Sequence, residues 1–168
     1  AVLDQSFLEG NANVFLASLY YNDPQRKIGL AHLDISTGDF LFTELDKEEL
    51  INELQRFRAA ELIVDSSQAE EFVKSLPLDT LPAITVFDSW QFQPQEAIAT
   101  LKKHFGVTTL EPYGAHNKLL GATAAGAALA YVQGLYTSPL NHISSLRYYS
   151  LSQYMQLDEI SRRNLELV

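Results

Sequence analysis

The sequence contains no cysteine, one methionine and one tryptophan among its 168 residues. Without cysteine it can hold no disulfide framework and no thiolate metal site, so a reducing compartment suits it. Basic residues are also scarce, with 12 Lys and Arg against 21 Asp and Glu and a formal net charge of −9. Because nucleic-acid affinity depends largely on Lys and Arg, the chain is not expected to grip a phosphate backbone by itself.

The usual signals of targeting and catalysis are also missing. The opening residues AVLDQSFLEG lack the basic and uninterrupted apolar stretches of a signal peptide, so we expect a cytoplasmic protein. The four histidines show no metal-ligand spacing such as HExxH, and neither a Gly-x-Ser-x-Gly elbow nor a Walker-type Gly-rich loop occurs. We therefore expect no metal, cofactor or nucleotide site in these residues.

Charge is absent from one long run, LLGATAAGAALAYVQGLYT at 119–137. Its length would suit a membrane span, but Ala and Gly contribute little transfer free energy, so a buried helix of a water-soluble domain is expected instead. Four small residues spaced four apart, Ala122, Gly126, Ala130 and Gly134, would let another backbone approach closely. The pattern predicts a helix packed tightly on a sheet, and no membrane partner.

The remaining pattern predicts an α/β fold. Strand-like runs at 13–20, 27–35 and 39–45 are separated by the turn signals NDPQR and STGDF, which predicts three antiparallel strands. Helices at 47–59, 67–76 and 94–106 then alternate with apolar strands at 60–65 and 83–87. The order βββαβαβα predicts a ribonuclease H-like mixed sheet flanked by helices, followed by a short C-terminal extension.

A nuclease on this fold would need carboxylates that converge on two metal ions. Of the acids in or beside the strands, only Asp34 and Asp65 could meet near one edge of the sheet, so a metal-dependent nuclease using this pair is the alternative function. The simpler interpretation is that each carboxylate accepts hydrogen bonds from a local turn or helix start. We favour that interpretation, because Ser-rich turn sequences follow both residues.

Three segments give the chain a resemblance to the MutS family of DNA mismatch-repair proteins. They are IGLAHLDISTGDF, then HFGV with the loop to AAGAALAYVQ, and then YMQLDEISRRNLEL, in that order and spacing. Together they cover essentially the whole chain. The motif residues to which the resemblance gives a structural role are Asp34, Gly38, Asp158, Arg162, Arg163 and Asn164.

The resemblance implies three regions. Residues 1–10 would be a linker from a preceding mismatch-binding domain, and residues 11–137 would form a ribonuclease H-like connector domain. Residues 138–168 would form a junction and the start of the core, or lever, domain, with Asp158 capping its first helix. The aromatic run RYYSLSQYM at 147–155 is then expected to serve this junction.

The function implied by the resemblance is a non-catalytic connector in a bacterial mismatch-repair ATPase. It would link mismatch recognition to the core and ATPase domains and offer a docking surface for MutL. The remainder of the MutS chain, a second MutS subunit and mismatched DNA bound by other domains are the other implied partners. ATP and Mg²⁺ would bind outside this chain, so no cofactor and no enzymatic activity are expected here.

The docking surface itself must be chosen on physical grounds. If Ile98, Leu101 and Phe105 face the sheet, the helix that begins at Pro94 turns a polar face outward. An ordinary solvated helix face, with lysines near its negative end, is the competing interpretation. The candidate docking residues are Gln95, Glu96, Ala99, Lys102 and Lys103.

Overall fold

The computed structural model describes residues 13–22, 27–77, 79 and 81–151. Its strands are β1 Phe15–Tyr21, β2 Lys27–Asp34, β3 Phe40–Asp46, β4 Ala59–Asp65, β5 Ala83–Phe87 and β6 Arg147–Tyr148. Its α-helices are α1 Leu50–Arg56, α2 Ala69–Lys74, α3 Pro94–Phe105 and α4 Leu119–Leu135. Short 3-10 turns occupy Lys47–Glu49, Ser89–Phe92 and Glu111–Tyr113.

The six strands form one mixed sheet in the order β5-β4-β1-β2-β3-β6. Strands β1, β2 and β3 are antiparallel neighbours, whereas β4 is parallel to β1, β5 to β4 and β6 to β3. This arrangement confirms the predicted ribonuclease H-like α/β class. The two-residue strand β6 extends the sheet beyond the predicted set, because Arg147 pairs with Leu41 and Tyr148 with Phe42.

Helices cover both faces of the sheet, and alternation along the strands supplies two apolar layers. Leu16 of β1 packs in the layer beneath α3 and α4, while the next residue, Ala17, packs in the layer beneath α1 and α2. Other members of the first layer are Leu33, Phe42, Ile63, Leu101 and Leu129. Other members of the second are Ile28, Leu30, Leu54, Leu62 and Phe72.

Helix α4 is buried along most of its length, and glycine allows its closest contacts. A Cβ on Gly121 would lie 2.6 Å from the Phe42 ring, and one on Gly126 would lie 2.2 Å from the carbonyl oxygen of Ala97 in α3. Tight packing of this helix is thus confirmed. Gly126, a member of the predicted stripe, accommodates a helix rather than the sheet. A Cβ on Gly134 would meet no atom of the described residues beyond its own helix turn within 4 Å. In that part of the chain, no helix combines the length and apolarity that a membrane crossing requires.

Two predicted helices are shorter in the structure than in the sequence pattern. The helix predicted at 47–59 is a 3-10 turn followed by α1, and the Glu49 carboxylate accepts from the Asp46 N–H, as a capping residue does. Helix α1 ends before Arg58, whose φ of 51° lies in the left-handed region. The helix predicted at 67–76 begins only at Ala69, because the residues after β4 form a capped turn.

Candidate functional site

Asp34 lies at the end of β2 and organises the turn that leads into β3. Its Oδ1 accepts hydrogen bonds from the Ser36 N–H at 2.9 Å, the Ser36 hydroxyl at 2.6 Å and the Thr37 N–H at 3.3 Å. Gly38 closes the turn with φ of 83°, and its N–H donates to the Asp34 carbonyl at 2.8 Å. A Cβ on Gly38 would lie 2.2 Å from the His142 carbonyl oxygen, so this glycine also admits a neighbouring loop.

Asp65 plays a similar part at the end of β4. Its Oδ1 accepts from the Ser67 N–H and the Ser67 hydroxyl, both at 2.9 Å, and from the Ser89 hydroxyl at 2.5 Å. It therefore ties the start of α2 to the turn after β5. Burial raises the pKa of the nearby Tyr20 hydroxyl, and the negative charge of Asp65 raises that pKa further.

The strand register places Asp34 and Asp65 at opposite ends of β1. Asp34 is opposite Phe15 at the start of β1, whereas β4 runs parallel to β1 with Ser18 opposite Ile63. Asp65 therefore lies level with Tyr20, roughly 17 Å along the strand from Asp34. Two-metal nucleases hold their ions about 4 Å apart. The expectation that these carboxylates could meet at one edge was wrong, and the proposed nuclease pair is not assembled.

Metal ligands do not converge elsewhere in the described part of the chain. No group of three or more His, Asp or Glu side chains there could hold an ion. Two of the histidines instead bond to backbone carbonyls: His104 Nε2 to the Ile143 oxygen at 2.7 Å, and His142 Nε2 to the Ile35 oxygen. These contacts attach the loop after α4 to the rest of the domain.

Helix α3 exposes the polar face that the sequence assigns to docking. Pro94 occupies its first turn, and Gly106 ends it with φ of 66°. Leu101 and Ala97 are fully buried, and Ala97 forms the tight contact with Gly126 of α4. Five candidate docking residues share the outward side, with Lys102 half-buried and the other four exposed: Gln95, Glu96, Ala99, Lys102 and Lys103.

A cleft lies beside this outward face and was not anticipated from the sequence. It has a volume of about 220 Å³ and an apolar floor that includes Ile98 and Leu110. Lys102 and His116 belong to its polar lining, and Leu119, with 52% of its surface exposed, stands at the start of α4. Its lining comes from α3, from residues 108–116 and from the start of α4, and no local sequence pattern predicts that these segments meet.

A second feature that sequence reasoning missed is a buried polar network around Tyr149. The Tyr149 hydroxyl lies 3.1 Å from His32 Nε2 and 2.8 Å from Glu53 Oε2, and Arg56 pairs with the other oxygen of Glu53. Tyr149 is 6% exposed and His32 is fully buried. The network therefore fastens the chain just after β6 to strand β2 and helix α1.

The network also fixes the protonation of His32. Since Tyr149 has one hydroxyl proton and donates it to the Glu53 carboxylate, Nε2 of His32 must carry the proton in the bond to Tyr149. Nδ1 is buried and has no hydrogen-bond partner among the described residues. A second proton on Nδ1 would therefore have no hydrogen-bond acceptor. Burial, the larger cause, and the positive charge of Arg56, the smaller one, lower the pKa of His32 to about 3. His32 is thus a neutral structural residue.

The opposite face of the sheet holds one more buried carboxylate, Glu61 of β4. Its Oε2 accepts from the Tyr131 hydroxyl at 2.8 Å and from the Thr85 hydroxyl. It joins α4 to β4 and β5. Neither Glu61 nor Glu53 stands out in the sequence, because their partners come from distant segments.

Four of the motif residues lie outside the described part of the chain: Asp158, Arg162, Arg163 and Asn164. Residues 1–10 also lie outside it. The boundary expected at residue 137 stays a prediction. Within the described residues, the chain after 137 continues to pack on the same domain, with Leu140, Ile143 and Leu146 in its core.

Comparison with known proteins gives a consistent result. A family profile described as "MutS domain II" matches residues 13–144. The chain is 40% identical over 146 residues to the DNA mismatch repair protein MutS of Methanosarcina barkeri, which covers 84% of this chain and 16% of that protein. It is 37% identical to the DNA mismatch repair protein MutS of Dehalococcoides mccartyi, over 99% of this chain and 19% of that protein. It is 35% identical to the protein of the same name from Protochlamydia amoebophila, over 99% of this chain and 20% of that protein. The chain spans about a fifth of the length of these relatives.

Proposed function

The chain belongs to the MutS domain II family, the connector domain of a DNA mismatch-repair protein, and on that premise we propose that it is a non-catalytic connector and a docking module for MutL. The outward face of α3 would receive MutL. The segment after β6 would pass mechanical signals to the rest of a MutS chain. The proposal places mismatch reading and ATP hydrolysis in other parts of such a chain.

The observation that carries the docking proposal is a tightly packed helix with a polar, outward face. Helix α3 packs so closely on α4 that a Cβ on Gly126 would lie 2.2 Å from the Ala97 carbonyl oxygen. A docking surface on a fixed element loses little conformational freedom when a partner binds. Gln95, Glu96, Ala99 and Lys103 are accessible without any rearrangement.

The local charge of this surface indicates the chemistry of its partner. The chain as a whole is strongly acidic, yet residues 102–118 contain three lysines and one acid. Lys102 lines the cleft floored by Ile98 and Leu110, and the exposed Lys103 follows it in α3. A partner segment with an apolar side chain for the cleft and an acidic residue for the lysines would fit this surface best.

The linking part of the proposal rests on the Tyr149 network. A chain segment that transmits force between domains needs a firm attachment at one end. The bonds from Tyr149 to Glu53 and His32 provide that attachment inside the domain. A Gly-Gly insertion after Leu151, in a MutS chain of the relatives' length, should weaken the coupling between mismatch binding and ATP turnover. Undiminished coupling would contradict this linking role.

The docking proposal is tested by charge reversal on α3. Lys102→Glu with Lys103→Glu, in a MutS chain that carries this domain, should weaken MutL binding at least tenfold when measured by interferometry with ATP and a mismatched duplex. The matched control is Lys27→Glu with Lys74→Glu, which changes the net charge equally at lysines outside α3. We expect the control to bind MutL within about threefold of the unaltered protein.

Two outcomes would contradict the docking role of α3. Unaltered binding by the Lys102 and Lys103 variant would remove this helix from the interface. An equal loss in the Lys27 and Lys74 variant would show that net charge, rather than this surface, governs the association.

A further inference from the structure

Strand β5 forms an open edge of the sheet. It is the first strand in the sheet order, and β4 is its one paired neighbour among the described residues. The Phe87 carbonyl accepts from the Ser66 N–H at 3.0 Å, so the backbone of Phe87 points toward β4. Because backbone direction alternates along a strand, Thr85 also points inward, and the N–H and C=O groups of Ile84 and Val86 point to the open side.

Two large apolar side chains are exposed on β5 and in the turn after it. Val86 is 55% exposed and Trp90, in the turn after β5, is 53% exposed, the two largest values for large apolar residues in the described part of the chain. Proteins commonly protect an edge strand by placing lysine or proline on it. The strand AITVF contains neither. Val86 therefore offers both its side chain and its backbone groups to a partner.

Charge restricts what can bind there. Asp79 precedes β5 and Asp88 follows it, both are exposed, and no Lys or Arg lies between them. Pairing β5 with β5 of a second copy would bring these acids together, which disfavours self-association. A segment that carries lysine or arginine would instead be attracted.

We propose that the open edge of β5 accepts an extended, basic segment of a partner protein, which adds to the sheet as a further strand. The backbone groups of Ile84 and Val86 bond to it, and Val86 and Trp90 contact its apolar side chains. This site is separate from the outward face of α3, and the proposal does not depend on docking there. The sheet would then have seven strands.

A designed peptide tests the proposal on the 168-residue chain. The probe alternates valine and threonine and carries lysines at both ends; its control carries glutamates in their place. Trp90 is the only tryptophan, so its fluorescence reports binding beside β5 directly. We expect the lysine peptide to shift this fluorescence saturably at low salt, with at least tenfold weaker binding by the glutamate peptide and at higher salt.

Substitutions at Val86 separate backbone pairing from simple apolar contact. Val86→Pro removes an N–H that points away from β4, and proline is tolerated on an edge strand in that orientation. It should weaken peptide binding at least tenfold, while Val86→Thr, which keeps the N–H, should stay within about threefold. Circular dichroism checks that each variant is folded. If Val86→Pro does not fold, Val86→Lys is the second variant, and repulsion of the lysine peptide should again weaken binding.

Three results would overturn the proposal. The first is no response of Trp90 to the lysine peptide. The second is equal binding of the peptide to folded Val86→Pro or Val86→Lys. The third is a dimer of the unaltered chain, seen by sedimentation, that the Val86→Pro variant does not form. The edge of β5 would then pair with a second copy of the chain.

Discussion

Tyr149 shows how a single hydroxyl can hold a chain segment in place. It donates to Glu53 and accepts from His32, two residues on different elements. Both partners are buried, so removing the hydroxyl would leave a carboxylate oxygen and an imidazole N–H less well satisfied in a low-dielectric interior.

Replacing Tyr149 with phenylalanine tests this role. We expect Tyr149→Phe to lower the free energy of unfolding by about 2 kcal/mol, because a bond to a buried carboxylate is lost while the ring is kept. Urea unfolding followed by circular dichroism measures the change. Tyr148→Phe, at the neighbouring half-buried tyrosine whose ring packs on Phe42, is the control and should cost less. Equal losses in the two variants would show that the network adds no particular stability.

His32 should make stability depend on pH. Its pKa is lowered to about 3 in the folded protein, so the unfolded chain binds a proton more readily at mildly acidic pH. The contribution of His32 is therefore complete above its unfolded pKa of about 6.5 and falls as the pH drops toward 3, by up to about 1.4 kcal/mol per pH unit.

His32→Leu should remove this pH dependence. Between pH 7 and pH 5 the unaltered chain should lose more free energy of unfolding than His32→Leu does. Urea unfolding at several pH values measures it, and His116→Leu, at an exposed histidine, controls for histidine loss. A difference that stays constant with pH would contradict a buried, neutral His32.

Residues with local partners could be assigned from the sequence, whereas residues with distant partners could not. Asp34 and Asp65 bond to turns within three residues of them, as the Ser-rich sequences after them predicted, whereas the further bond from Ser89 to Asp65 was not predictable. The bond between His32 and Tyr149 joins residues 117 positions apart, and no periodicity reports such a contact. The distance between Asp34 and Asp65 likewise depends on strand register, which is set by pairing across the sheet.

At the scale of elements, the contact between α3 and α4 depends on one glycine. Gly126→Ala would place a Cβ 2.2 Å from the Ala97 carbonyl oxygen, which belongs to backbone and cannot turn away. We expect a loss of about 1–3 kcal/mol in the free energy of unfolding, from forced separation of the two helices. Thermal and urea unfolding measure this loss.

Gly134 supplies a matched control in the same helix. An added Cβ there would meet no atom of the described residues beyond its own helix turn within 4 Å, so Gly134→Ala adds helix propensity without a clash. This variant should be neutral or more stable by up to about 1 kcal/mol. If Gly126→Ala were as stable as Gly134→Ala, the close packing of the two helices would be refuted.

Most elements were predictable because their patterns are local. Alternation identified the strands of the sheet's centre, and the helix that begins at Pro94 was predicted to within a residue of its end at Phe105. The Ala-rich run predicted α4, but its four-residue stripe could not reveal that Gly126 faces a helix and Gly134 faces open space. Strand β6 has two residues, too few for any period to show, and its pairing with β3 is non-local.

At the scale of the whole molecule, the chain presents two surfaces of unlike charge. The lysine-bearing end of α3 adjoins an apolar cleft, while the open edge of β5 lies in a segment without lysine or arginine. Family membership was apparent from sequence motifs, but neither surface was, because each is assembled by the packing of several elements. We therefore expect different partner chemistry at each surface: acidic and apolar at α3, basic and extended at β5.

The most direct test of the central claim is amide hydrogen exchange across this domain, in a MutS chain of the relatives' length, with and without MutL in the presence of ATP and a mismatched duplex. If α3 is the docking surface, MutL should slow exchange over Pro94–Phe105 and in the residues lining the adjacent cleft. Unchanged exchange in α3, or protection confined to other parts of the domain, would contradict it.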